Sequence, residues 1–122
     1  MLIWKESLPE DTLDLLKIDL PFSDTTDAKS HILNVDTQGH RPVMWFQADD
    51  DSNGEVKDSK SFVIQGIGTG HPYMDERWRM IINRKSYIGT ASLLGGTLIM
   101  HYFIALEEDY RKALEEFVNR EQ

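Results

Sequence analysis

The chain has no cysteine. That absence excludes disulfides, thiolate metal sites and a cysteine nucleophile, and it fits a reducing compartment. Long apolar runs are also missing: none approaches the roughly 18 to 20 residues that a membrane-spanning helix needs. The opening Met1-Leu2-Ile3-Trp4-Lys5-Glu6 lacks a basic region followed by a long apolar core. No signal peptide is therefore expected, and the expected location is the cytoplasm. Positive charge is scarce. There are 13 Lys and Arg against 21 Asp and Glu, a net charge of -8. The imbalance sits in the first half, where residues 1 to 60 hold 13 acids and 6 bases, a net of -7. Residues 61 to 122 hold 8 acids and 7 bases, a net of -1. An acidic surface repels phosphate backbones, so direct duplex binding is not expected and a partner with a basic surface is.

The 122 residues are enough for one domain with one core. Leu13 to Leu20 is apolar at Leu13, Leu15, Ile18 and Leu20. Leu16 breaks that period, so a strand and a short helix both fit. Pro21 ends the segment, and residues 23 to 30 are polar and loop-like. His31 to Thr37 reads as a strand with Leu33, Val35 and Thr37 on one side, and Gln38-Gly39-His40-Arg41 supplies a turn. Val43-Met44-Trp45-Phe46 is apolar on both faces, which suits a strand inside a sheet covered on two sides. Asp49 to Lys60 is a polar loop, and Ser61 to Gly68 is a third strand. Residues 74 to 85 fit neither period. Tyr87 to Leu93 is a short strand. After Gly95-Gly96, Thr97 to Leu106 alternates over its whole length and belongs at the centre of a sheet.

From Glu107 to Arg120 the period changes. Leu106, Tyr110, Leu114, Phe117 and Val118 recur at three- and four-residue intervals, which defines one helical face. Glu107, Glu108 and Asp109 occupy the first turn and Arg120 the last, a polarity that suits the helix dipole. The expected architecture is mainly β (α+β): a compact antiparallel sheet or partly open barrel over residues 1–106, with a C-terminal amphipathic helix over 107–122. Its apolar stripe of Tyr110, Leu114 and Phe117 either covers the sheet or pairs two copies into a homodimer.

Several blocks share one order along the chain. Val35, Gly39, Pro42 and Trp45 mark a hairpin, and Gly68-Thr69-Gly70-His71-Pro72 follows. Then come Tyr87-Ile88-Gly89-Thr90, Gly95-Gly96, and a strand carrying His101 and Phe103. This order resembles a family of small uncharacterised proteins of tailed phages and prophages, over about residues 13 to 104. The resemblance implies a viral or mobile-element origin, a compact β body and action in a host cytoplasm. It carries over no catalytic residues. The loop at 49 to 60 and the segment at 74 to 85 are longer than the family pattern, and the helix after Leu106 is an added tail.

Asp49, Asp51, Asn53 and Gly54 match the first half of a calcium loop, with oxygens at alternate positions and glycine at the sharp turn. The twelfth position is Lys60, not the required acid, so a solvated loop is the stronger reading. Gly66, Gly68 and Gly70 run into His71, but Pro72-Tyr73 follows where a phosphate loop needs a helix. Glycine at a sheet corner accounts for that run. His101 stands between Ile99 and Phe103 on one strand face, which suits a hydrogen-bonded structural histidine. His31 and His40 flank a hairpin and are expected at the surface.

Arg77, Trp78, Arg79, Arg84 and Lys85 gather bases around an aromatic, the composition of a contact surface. Three functions suit these residues. The first is a non-enzymatic acidic accessory protein that binds and modulates or inhibits a host protein, for example an anti-defence inhibitor of a nucleic-acid-binding nuclease complex. Asp49, Asp50, Asp51, Glu55 and Asp58 would then compete for a basic groove while the arginine–aromatic segment adds short-range contacts. The alternative is a nucleotide or small-anion binding protein with a pocket formed by Gly68, Gly70, His71, Gly89 and His101. A histidine-dependent hydrolase built on His71 and His101 ranks third, because no motif places a nucleophile or an orienting acid beside them. No cofactor is expected.

Overall fold

The structure is a computed structural model. It describes residues 2–11, 14–22, 28–48, 59–70 and 86–121, with only the backbone of Leu114 and of residues 117–121. The described residues include seven strands: β1 (Leu2–Ser7), β2 (Leu15–Leu20), β3 (Ile32–Gln38), β4 (Arg41–Ala48), β5 (Lys60–Gly68), β6 (Tyr87–Leu93) and β7 (Leu98–Leu106). A short 3₁₀ turn at Ala28–His31 leads into β3, and helix α1 (Glu107–Glu121) follows β7 without a break. The strands form two antiparallel sheets, one ordered β1-β4-β3 and the other β2-β5-β7-β6.

Alternation along each strand decides which residues face inward. Met44, Phe46 and Val35 of the three-stranded sheet meet Phe62, Ile64, Met100, Tyr102 and Ile104 of the four-stranded sheet in one buried cluster. Phe22 is fully buried and stacks edge-on against Phe46 at 5.7 Å and Phe62 at 5.5 Å, so one ring joins both sheets. Aromatic pairs in this geometry add about 0.5–1.5 kcal/mol to the burial they provide. The outward side of the four-stranded sheet holds a second, smaller cluster. There Val63, with Leu15, Phe103 and Ala105 around it, packs against Tyr110 of α1. Among the described residues the layers therefore run sheet, sheet, helix.

The fold is mainly β with a C-terminal helix, and the sheets do not close into a barrel. Both β5 and β7 occupy inner positions of their sheet, and β5 is buried from Phe62 to Gly68 because the core lies on one side and α1 on the other. As expected, β4 is the middle strand of its sheet. Its outward residues Trp45 and Gln47 are only half-buried, so the cover expected on both faces is partial. The segment Leu15–Leu20, which fitted two periods, is a strand. The opening residues also form one, paired to β4 from Leu2↔Ala48 to Ser7↔Val43.

Two side chains depart from the expected pattern. Leu33 does not share a face with Val35. The β3–β4 register jumps from Ile32↔Phe46 to Asn34↔Trp45, which makes Leu33 the extra residue of a β-bulge. The bulge turns Ile32 onto the core and leaves Leu33 51% exposed. His40 is exposed in the two-residue turn, whereas His31 is half-buried and stacks on Phe22 with ring centroids 4.4 Å apart.

Candidate functional site

His101 sits in the middle of β7, paired with Ile67 of β5 on one side and Thr90 of β6 on the other. Met100 and Tyr102 point into the core, so alternation turns His101 outward. Three hydroxyl groups converge on its row. Thr69 lies just past the end of β5, and its backbone N–H donates to the Ile99 carbonyl at 3.0 Å. That bond holds the Thr69 side chain beside β7, where its Oγ1 is 2.5 Å from His101 Nε2. On the other flank, Thr90 Oγ1 is 3.0 Å from His101 Nδ1. The Tyr87 hydroxyl is 2.5 Å from the same Thr90 oxygen. A register shift between Tyr87 and Gly89 places Tyr87 opposite Phe103, whose ring lies 5.7 Å away. The Lys29 ammonium stands 5.7 Å from the centre of the Tyr87 ring, within cation–π range.

The result is one hydrogen-bonded chain, Tyr87–Thr90–His101–Thr69, across three strands. It has two self-consistent proton settings. In one, Tyr87 donates to Thr90, Thr90 donates to Nδ1, and Nε2–H donates to Thr69. In the other every bond reverses, and the Thr69 hydroxyl donates to Nε2. A neutral imidazole has one donor and one acceptor nitrogen, so each setting satisfies both. Only the second leaves His101 able to take the Thr69 proton.

A different feature marks the outward face of the three-stranded sheet. In the register, Ile3 lies opposite Gln47 and Lys5 opposite Trp45, which puts Ile3, Trp45 and their neighbours on one face. The bulge adds Leu33 beside Asn34, on the other flank of Trp45. Ile3 is 56% exposed and Leu33 51%, while Trp45, diagonal to Ile3, is half-buried. Lys5, Asn34, Asp36, Gln38 and Arg41 form a polar rim, and Lys5 Nζ donates to Gln38 Oε1 at 2.8 Å across β4. Apolar residues surrounded by a polar rim are the usual anatomy of a contact surface.

The residues expected to form a pocket divide between the two sides of one sheet. Gly89 pairs with Tyr102 and faces inward onto Val35, where a Cβ would stand 2.5 Å from the Val35 Cβ. His101 faces outward. Gly68 is buried at the end of β5, and Gly70 lies in the turn after it with a φ of 82°. His71, the expected contact residues Asp49, Asp50, Asp51, Glu55, Asp58, Arg77, Trp78, Arg79, Arg84 and Lys85, and the calcium-loop residue Asn53 lie outside the described residues. Among the described residues, no group of three His, Asp or Glu side chains is placed to hold a metal ion. No described helix is long and apolar enough to cross a membrane. A shallow groove of about 250 Å³ runs between the start of β5 and the start of α1, lined by Lys60, Ser61, Leu106, Glu107, Glu108 and Arg111. Its charges are of both signs.

Sequence reasoning identified His101 and missed its partners. Thr69 is separated from it by 32 residues, and only strand pairing brings them together. The available signal was a threonine beside glycine in both corner blocks, Gly68-Thr69-Gly70 and Gly89-Thr90. On the Tyr110 side of α1, the ring is buried against Val63 of its own sheet. The side chains of Leu114 and Phe117, named with it as a dimer stripe, lie outside the described ones.

No curated protein matches the chain, and neither does any solved structure. A family model described as a domain of unknown function, DUF7352, matches residues 3–112, from the start of β1 into the second turn of α1. The chain belongs to that family.

Proposed function

We propose that this chain is a non-enzymatic binding protein that docks on a partner protein through the outward face of its three-stranded sheet. The observation that carries the reading is the pair of exposed aliphatic residues on the face of Trp45: Leu33 at the bulge beside it, and Ile3 diagonal to it on β1. Tryptophan is enriched among residues that dominate binding energy, and water-excluding neighbours around it are what make such a residue count. Several exposed apolar residues on one sheet face mark an interaction site more often than a lone aliphatic does. Leu33 is exposed because a bulge places it there, not because a core position failed to close.

The net charge of -8 selects the partner by electrostatics: a protein with a basic surface is attracted and a nucleic-acid duplex repelled. The likeness of the corner blocks to small phage and prophage proteins makes a host protein the natural partner, with modulation or inhibition as the outcome of docking. The test is a capture from host lysate by the full chain and by an Ile3→Asp/Leu33→Asp variant, at low and high salt, read by mass spectrometry. Both sites are exposed, so the variant keeps its thermal melting. Host proteins held by the parent chain and released by the variant support the reading. An identical set held by both chains overturns it.

A further inference from the structure

We propose that Thr69 is a base-assisted nucleophile that accepts an acyl group from an activated ester, with His101 as its base. A threonine hydroxyl is a weak nucleophile on its own. It becomes a useful one when a base lies within hydrogen-bond reach and a third group orients that base. Both conditions are met here. Thr69 Oγ1 is 2.5 Å from His101 Nε2, and the far nitrogen of the ring, Nδ1, is 3.0 Å from Thr90 Oγ1. The Tyr87 hydroxyl, 2.5 Å from that oxygen, fixes Thr90 in turn. Thr90 and Tyr87 are positioning residues: they fix the ring, and in the setting where Thr90 accepts from Nδ1–H, Nε2 receives the Thr69 proton.

The pair is held by the sheet on one side, and Thr69 is exposed on the other. His101 is paired on both flanks within β7, and the Thr69 backbone is tied to Ile99. Thr69 itself is exposed, and among the described residues no atom lies within 4 Å of where a Cβ on Gly70 would be. The exposed Thr69 side chain is the end of the hydroxyl chain that an ester can reach. In the reaction, Thr69 Oγ1 bonds to the carbonyl carbon and its proton passes to Nε2. The bond from that carbon to the leaving oxygen breaks, and the proton is returned to that oxygen. The products are a Thr69 ester and a free alcohol, with atoms and electrons balanced. The site lies on the outward face of the four-stranded sheet and shares no residue with the proposed docking face.

The experiment treats the full chain with p-nitrophenyl acetate, follows nitrophenol release and locates the acetyl group by peptide mass spectrometry. The expected result is a burst of nitrophenol and acetyl on Thr69. Thr69→Val, which keeps the side-chain shape, abolishes that acetylation. His101→Gln slows it on the order of 100-fold, the usual lower contribution of a general base. Thr90→Val slows it severalfold while leaving both reacting groups in place. Acetyl found only on lysines or the amino terminus of the parent chain overturns the proposal, and needs no variant to fold. Equal rates at Thr69 in the parent and in a folded His101→Gln chain overturn it as well.

Discussion

Gly89 on β6 and Val35 on β3 touch across the two sheets, and a Cβ added to Gly89 would stand 2.5 Å from the Val35 Cβ and 2.8 Å from its Cγ2. Neither strand is hydrogen-bonded to the other. The contact is the closest kind of sheet-to-sheet approach, backbone against a β-branched side chain. Real Cβ atoms do not come that close, and Val35 has no flexible end to move aside. Gly89→Ala must push β6 away from β3, and overpacking of this kind costs about 1–3 kcal/mol. Urea denaturation checks it. In a double-mutant cycle with Val35→Gly, the two changes are non-additive by about 1 kcal/mol or more, because the clash needs both side chains.

Tyr102 links the core to the start of the chain. Its ring is fully buried, and its hydroxyl donates to the Pro9 carbonyl at 2.6 Å. Tyr102→Phe keeps the ring and removes the donor. The expected loss is about 1 kcal/mol, the net worth of an ordinary hydrogen bond. Gly66→Ala acts on the same ring. The added Cβ would overlap the end of Met100 and come within 2.8 Å of Tyr102 Cε1. Met100 has a flexible end that can move, whereas the ring is held by Pro9. Gly66→Ala is therefore expected to cost more than Tyr102→Phe in the same urea series.

The same phenol gives the fold an alkaline limit. Burial, and then the nearby Glu10 carboxylate, push its ionisation well above the ordinary tyrosine range. An unfolded tyrosine loses its proton near pH ~10. The folded chain then holds a proton that the unfolded chain has released, so stability falls as pH rises. The stabilisation is complete below about pH 10 and is lost as pH climbs toward the higher folded value. One such proton gives a slope of at most about 1.4 kcal/mol per pH unit. Chemical denaturation across this range should show a shallower decline for Tyr102→Phe than for the parent chain. Parallel declines would mean that Tyr102 does not set the limit.

What the amino-acid order revealed and what it concealed have separate physical causes. The long β7 was legible because uninterrupted alternation is a local signal, whereas β6, Tyr87–Leu93, has a register shift and was legible as a short strand-like run bounded by Gly95-Gly96. The helix was legible because the period changes abruptly after Leu106. The division of the strands into two sheets was not, because β1 pairs with β4 about forty residues away and no local pattern encodes that choice. Leu33 was misplaced for a related reason: a bulge shifts alternation by one residue, and its trace in the sequence is an apolar residue out of phase. The hydroxyl chain was hidden in the same way. Thr69, Thr90 and Tyr87 read as turn and strand residues until pairing places them around His101.

Helix α1 depends on its docking. Fifteen residues make a marginal helix in water, and the exposed Glu108–Lys112 pair, 3.2 Å apart, adds little. Tyr110 is buried against Val63, and Ala113 is buried one turn further on. Tyr110→Ala removes most of that anchor, at a cost of roughly 3 kcal/mol by analogy with other aromatic truncations. The loss should be local. Hydrogen exchange is expected to accelerate through residues 107–121 while β4 and β7 remain protected. Uniform acceleration across both sheets would show instead that the helix and sheets unfold as one unit.

Leu33 offers a way to separate the binding face from the fold. Ile32 pairs with Phe46 and Asn34 with Trp45, so the partner strand advances one residue while β3 advances two. Deleting Leu33 closes the bulge into a regular ladder. Ile32 stays inward and Asn34 outward, and no other side chain changes face. The expected change in stability is about 1 kcal/mol, since Leu33 lies outside the core and the register of the rest survives. Deleting Val63 is the contrasting case. Its pairings to Lys17 and Ala105 are regular on both sides, so one missing residue turns half of β5 onto the wrong face. That chain should not fold. Thermal melting of the two deletions tests the contrast directly. A folded Leu33 deletion that no longer retains the captured partner would assign the loss to the face itself, because nothing inside the sheets has moved.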